Sequence, residues 1–162
     1  MNDYGRRIVV DSDFDRTVDN VVHAFRDEGL DVISRFDVRG YLRHTIQHEF
    51  RRYVLLQVSA PRLMLEALRD DLGVGAILPV TIAIHELADG ETAVVASEPF
   101  GPVLGDAAWR KAAPALADLA DEESGQVARA LARLAHLKGV RHMAAIGFSA
   151  AWRYENEVPL RR

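Results

Sequence analysis

The chain has 162 residues, of which 49% are hydrophobic and 27% charged, and this ordinary globular mixture suits a single domain. It contains no cysteine, which excludes disulfides, thiolate nucleophiles and cysteine-ligated zinc or iron–sulfur clusters. The formal net charge of -4 disfavours nucleic acid as a partner, because the field of the whole protein repels a phosphate backbone.

The first half of the chain predicts strands alternating with helices. The β-branched run RRIVV indicates a first strand, and Ser12 is expected to cap the helix that follows and ends at Gly29. The apolar side chains of that helix recur at helical spacing: Phe14, Val18, Val21, Val22 and Phe25. LDVISRF then predicts a second strand, and Asp37 is expected to cap a short helix through Val38, Leu42 and Ile46.

The second half predicts three more strands and a helical end. YVLLQVSA is typical of a third strand, and Pro61 of the start of the next helix. AILPVTIAIHE and DGETAVVASEP predict a hairpin of the fourth and fifth strands. Residues 106–138 are rich in alanine and leucine and predict one or two helices, with Pro114 and DEESG as expected interruptions.

The order β-α-β-α-β-α-β-β-α-α predicts an α+β fold: a single domain with a mixed, mostly antiparallel sheet of about five strands covered by helices. We assign residues 1–138 to this domain. Residues 139–162 form a C-terminal extension rich in aromatic and apolar side chains, namely Met143, Ile146, Phe148, Trp152 and Tyr154. Such side chains are enriched at interfaces, so the extension is expected to pack on the domain or at a dimer interface.

Three stretches agree in order and spacing with a known family. DVRGYLRHTIQHEFRRYVLLQVSAPRLMLEAL, GAILPVTIAIHE and VVASEPFGPVLG resemble the bacterial and archaeal domain-of-unknown-function family numbered 302, and the likeness runs over about residues 6–138. The resemblance implies a compact α+β domain that commonly forms homodimers, and it implies no reaction. Two cysteines that are frequent in the family are replaced here by Ser59 and Val80, so no thiol or soft-metal role carries over.

A pair of histidines suggests a metal or haem site. His44 and His48 are four residues apart, and two imidazoles on one helical face can share a transition metal. The family register ends this helix near Ile46, which would separate the two side chains. The alternative interpretation is that both are solvated polar residues beside a short helix, or part of an interface.

Strand alternation places a second group of polar side chains together. Tyr53, Gln57 and Ser59 share one face of the third strand, whereas Thr81 and His85 share one face of the fourth. If the two strands are neighbours, these side chains form a polar patch that suits a small-ligand cleft or a dimer contact. Alternatively, Ser59 caps the helix at Pro61, while Gln57 and His85 simply face solvent.

The leading functional hypothesis is a non-catalytic small-ligand-binding or interaction domain that acts as a homodimer, because no G-x-S-x-G motif or glycine-rich phosphate loop is present. One alternative is a haem or transition-metal binder using His44, His48 or His85. Another is a hydrolase or isomerase whose site is assembled on the polar sheet face. We expect a cytoplasmic protein with no membrane partner, since neither a signal sequence nor a long uncharged apolar stretch occurs.

Overall fold

The computed structural model describes residues 5–87, 90–98 and 106–136 and, for the backbone alone, 140–144. Its strands are β1 (Gly5–Val10), β2 (Asp31–Asp37), β3 (Tyr53–Ser59), β4 (Val80–Glu86), β5 (Thr92–Ser97) and β6 (Val140–Ala144). Its helices are α1 (Phe14–Asp27), α2 (Val38–Ile46), α3 (Pro61–Asp70), α4 (Ala107–Ala112) and α5 (Pro114–His136), with a 3₁₀ turn over Leu72–Ala76.

These strands form one sheet in the order β2-β3-β4-β5-β1-β6, and each pairing that the structure describes is antiparallel. The predicted α+β class and the β4–β5 hairpin are confirmed. β1 returns to lie between β5 and β6, so β2 and β6 are the two edges of this sheet. β6 falls within the stretch assigned to the C-terminal extension, whereas Phe148, Trp152 and Tyr154 lie outside the described residues.

One face of the sheet packs against α1, α3 and α5. Alternate side chains of the inner strands point to that face and are almost fully buried: Ile8, Val10, Val54, Leu56, Val58, Val80, Ile82, Ile84, Val94 and Ala96. The helices add apolar side chains at helical spacing, from Phe14, Val18, Val21 and Phe25 of α1 to Val127 and Leu134 of α5. The alternation predicted for the third and fourth strands is therefore confirmed on this face.

The helix ends follow most of their local sequence signals, with two corrections. Asp13 caps α1 instead of Ser12, because its Oδ1 accepts a hydrogen bond from the Arg16 amide at 3.1 Å. Gly29 takes the left-handed conformation, with φ 82°, directly after the α1 C-cap, as predicted. Pro114 separates α4 from α5, whereas the DEESG stretch does not interrupt α5.

Two ion pairs join the end of α1 to α5. Glu28, just after α1, accepts hydrogen bonds from Arg129 Nε at 2.7 Å and Arg133 Nε at 2.6 Å. The two arginines are four residues apart on α5 and so lie on the same face of that helix. They hold the pKa of the Glu28 carboxyl below its usual value.

α2 departs from the expected packing. Its apolar positions were expected to be a helix stripe, yet α2 buries none of its residues: Val38 and Leu42 are half-buried and Ile46 is 64% exposed. Asp37 does cap this helix, because its Oδ1 accepts from the Gly40 amide at 3.0 Å. α2 is thus capped as predicted, but none of its apolar side chains is fully buried.

One carboxyl group lies among the buried side chains of the helical layer. Glu123 of α5 is only 5% exposed and follows Leu116 and Ala120 on the buried side of that helix. Burial raises the pKa of Glu123 to about 7, since an apolar environment disfavours the charged form. A larger fraction of this carboxyl is therefore protonated near neutral pH than for an exposed glutamate.

Replacing Glu123 by glutamine should stabilise the protein at pH 8 by up to about 3 kcal/mol, the free energy that corresponds to the displacement of its pKa. The pKa in the folded state lies above the unfolded value of 4.5. Below pH 4.5 the carboxyl is protonated in both states and does not lower the free energy of unfolding, whereas between pH 4.5 and about 7 its destabilising effect grows. At pH 4 the variant and the wild type should unfold at the same denaturant concentration. Asp118→Asn, which changes an exposed carboxylate of the same helix, should leave stability unchanged at both pH values; an equal gain in both variants would contradict the prediction.

Candidate functional site

The sheet surface opposite the helices carries the polar side chains singled out in the sequence. We call it the open face and define it by Tyr53, Leu55 and Gln57 of β3 together with Thr81, Ala83 and His85 of β4. β3 and β4 are neighbours, with Tyr53 opposite His85 and Gln57 opposite Thr81. The predicted polar patch requires β3 and β4 to be neighbours, and they are.

Two rings form the centre of this face. Tyr53 and His85 stack across the strands, with ring centroids 5.3 Å apart and planes 11° from parallel. Phe50 continues the aromatic run, since its ring centroid lies 6.2 Å from that of Tyr53. Both Tyr53 and His85 are partly buried although they face away from the helices.

Burial holds the two ring side chains in their neutral forms. It lowers the pKa of His85 to about 4, and the charges of Arg7 and Arg51 add to this effect. Burial likewise raises the pKa of Tyr53. The Nδ1 atom of His85 is buried and has no hydrogen-bond partner among the described residues. At neutral pH the pair therefore offers uncharged ring faces and an imidazole whose hydrogen bonding is incomplete.

Arg7 and Arg51 are site residues that sequence reasoning missed, since the charges of both act on His85. Arg7 lies on β1 opposite Val95, which in turn lies opposite Ala83, so the register carries it to the open face. Burial lowers the pKa of its guanidinium, although an arginine stays charged at neutral pH. The alternation of RRIVV could have predicted that Arg7 and Ile8 point to opposite faces of the sheet. Only the pairing of β1 with β5 shows that Arg7 lies on the same face as His85.

The other end of the patch is less accessible than expected. Ser59 is 2% exposed and its Oγ has no hydrogen-bond partner among the described residues. It does not cap α3, whose N-cap is Ala60 without a side-chain hydrogen bond. The Thr81 amide donates a hydrogen bond to Ser97 Oγ on the neighbouring strand at 2.9 Å. Ser59 is therefore not part of the accessible polar surface, whereas Tyr53, Gln57, Thr81 and His85 are all partly exposed.

His44 and His48, the two histidines of the predicted metal site, are separated by the end of α2. His44 is exposed in the last turn of α2, which ends at Ile46 as the family register indicates, and Gln47 then turns the chain with φ 54°. His48 follows in the link to β3. Among the described residues no group of three or more histidine, cysteine or acidic side chains is arranged to hold a metal ion. The two-histidine metal site stays a prediction.

A groove lies on the helical side of the molecule, between α3 and α5. It has a volume of about 510 Å³ and is lined by Glu66, Arg69, Asp70, Ala115, Asp118, Leu119 and Glu122. Arg62 bridges two of its carboxylates, with Nη1 2.9 Å from Glu66 and Nη2 2.5 Å from Glu122. The groove shares no residue with the open face, and its carboxylates are exposed groups neutralised in part by arginine.

The described helices include none that is both long and apolar enough to cross a membrane. They and the antiparallel sheet define an α+β domain with one covered and one open sheet face.

Comparison with known proteins places this domain in a family. Residues 7–134 match the model of the family described as "Domain of unknown function DUF302", so the chain belongs to that family. The crystal structure of an uncharacterized conserved DUF302 protein from Bacillus stearothermophilus is similar, with 23% sequence identity and a TM-score of 0.67 over 79% of this chain and 95% of that one. This likeness shows the fold alone. No curated protein matches the chain.

The imidazole of His85 should titrate with a midpoint near pH 4 in the folded protein, compared with 6.5 for an unperturbed histidine. Because the unfolded chain takes up a proton between these two pH values and the folded chain does not, His85 lowers the stability as the pH falls from 6.5 to 4. A ¹H–¹³C NMR titration of the histidine rings, assigned with His85→Gln, measures the midpoint. A value near 6.5 would show that the ring is solvated and would remove it from the site.

Proposed function

We propose that this protein is a small-ligand-binding domain that acts as a homodimer, and that its ligand lies on the open face against Tyr53 and His85. The observation that supports this most directly is the stacked, partly buried pair of rings with an unpartnered His85 Nδ1. Buried polar atoms normally have hydrogen-bond partners, and a bound ligand would supply one to His85 Nδ1. Apolar surface combined with a few convergent polar groups is also the usual composition of a ligand site.

The surrounding side chains indicate the chemistry of the ligand. The neutral rings of Tyr53 and His85 suit a planar ligand, which can pack on or beside them. The charges of Arg7 and Arg51 act on His85 and favour an anionic group on the ligand. We therefore propose that the site prefers small planar anions, such as aromatic carboxylates.

We propose binding in preference to catalysis. A general base or nucleophile normally needs a second group that orients or activates it. Within the described residues the Nδ1 of His85 accepts or donates no hydrogen bond, and its low pKa makes it a weak base at neutral pH. Gln57 and Thr81 add polar contacts to this face and supply no titratable group.

Titration of the full chain with millimolar benzoate, followed by NMR, tests the site. We expect saturable shifts of the Tyr53 and His85 ring signals, and weaker binding of benzamide, which has the same shape and no charge. His85→Ala should abolish the response, whereas His23→Ala, which removes an exposed histidine on α1, should preserve it.

Three results would count against the site. Ring signals that stay fixed with both compounds would refute ligand binding on the open face for this class. Equal affinity for benzoate and benzamide would refute only the proposed preference for an anionic group. Unchanged binding by His85→Ala would refute the assignment of that residue.

A further inference from the structure

Exposed apolar side chains concentrate at one edge of the molecule. Among the described residues eight large hydrophobic side chains are exposed, and five of them lie between residues 33 and 50. We call these five the β2–α2 surface: Ile33, Phe36, Tyr41, Ile46 and Phe50. The other three, Leu65, Leu72 and Ile77, belong to α3 and the turn after it.

The β2–α2 surface is built on elements that contribute little to the core. β2 is an edge strand of the described sheet, and all of its residues except Val32 are exposed. α2 buries none of its residues in spite of its apolar positions. The rings of Phe36 and Tyr41 nevertheless contact each other, with centroids 5.3 Å apart, so the strand and the helix present one ordered aromatic surface. An ordered surface of this kind costs little conformational entropy when it docks.

The area of this surface suits an interface. The five residues, each between 37% and 64% exposed, offer about 500 Å² of accessible surface in all, backbone included, which is near the upper end for the largest apolar patch of a monomer. Two such surfaces facing each other would remove about 1,000 Å² from water, which is the smallest area expected of a specific interface.

The charges around the surface favour a second copy of the same chain. Both signs occur along β2 and α2. Arg39 and Glu49 already pair with each other at 3.5 Å and Asp37 caps α2, which leaves Arg35 and Arg43 as basic groups and Asp31 as an acidic one for a partner. A two-fold axis brings the same patch of both copies together, so a patch with both signs can oppose its own basic groups to its own acidic ones. A patch of one sign would repel its copy.

We propose that the β2–α2 surface is the contact between the two protomers of a homodimer. This inference rests on the proposed homodimer and adds where its interface lies. The contact is made by side chains and does not extend the sheet, because the register of β2 shifts between Val32 and Ser34 and an irregular edge strand resists pairing with another strand.

Light scattering of the full chain at micromolar concentration, combined with sedimentation over a dilution series, tests the inference. The wild type should have twice the 18.0 kDa mass of the chain. Ile46→Glu and Tyr41→Glu each place a charge in the apolar contact and should raise the dimer dissociation constant about thirtyfold or more. Leu72→Glu is the matched control, since it changes an even more exposed apolar residue, at 83%, outside the surface, and should remain dimeric.

The outcomes separate the interface from the dimer itself. A wild type of 18.0 kDa overturns the homodimer and this inference with it. A dimeric wild type with dimeric Ile46→Glu and Tyr41→Glu leaves the homodimer standing and overturns the interface. Dissociation of Leu72→Glu as well would also overturn it. Circular dichroism must show native folding of each variant, and Ile46→Ala replaces any glutamate variant that fails to fold, with a smaller rise in the dissociation constant expected.

Discussion

Every other feature of this protein depends on the burial of one face of its antiparallel sheet beneath α1, α3 and α5. Side chains alternate along each strand, so filling one face with Leu56, Ile82 and Ile84 obliges the intervening residues to face the other way. A slip of one residue between neighbouring strands would turn the apolar set out of the core. The constraint that forms the core thus also determines which side chains the open face displays.

Burial shifts the pKa values of two titratable groups, one on the open face and one in the helical layer, for the same physical reason. Burial disfavours whichever form is charged, and it therefore lowers the pKa of His85 on the open face and raises the pKa of Glu123 among the helices. The direction of the shift differs only because histidine is charged when protonated and glutamate when deprotonated. At the proposed ligand site this neutral state would favour binding, since an uncharged ring can pack against a ligand without losing the hydration of an ion.

The order of the strands determines where Arg7 and the β2–α2 surface lie. β1 returns between β5 and β6, which brings Arg7 to the open face and leaves β2 and α2 at the opposite edge from β6. The aromatic run Phe50, Tyr53 and His85 leads from that edge into the open face, so the proposed dimer contact and the proposed ligand site are neighbours. Docking of a second copy would then change the surroundings of the site.

Local patterns in the sequence predicted most of the elements and several of their ends correctly, among them Gly29 after α1, the Asp37 cap of α2 and the start of α3 at Pro61. The period-two alternation of the third and fourth strands identified both the core set and the Tyr53 and His85 face, and the spacing from Phe14 to Phe25 identified the buried side of α1. The cap of α1 was misplaced by one residue, because Ser12 and Asp13 are both good capping residues and only backbone geometry selects between them.

The sequence by itself determined the α+β class, the family and the side chains that each strand presents to a given face, since these depend on interactions between residues close together in the chain. Only the tertiary structure decided which strands became neighbours, and with that the stacking of Tyr53 on His85, the approach of Arg7, the burial of Ser59 and the exposure of α2. Such outcomes depend on pairing and packing between segments far apart in the chain, where many arrangements share the same local pattern and burial of the common core selects one.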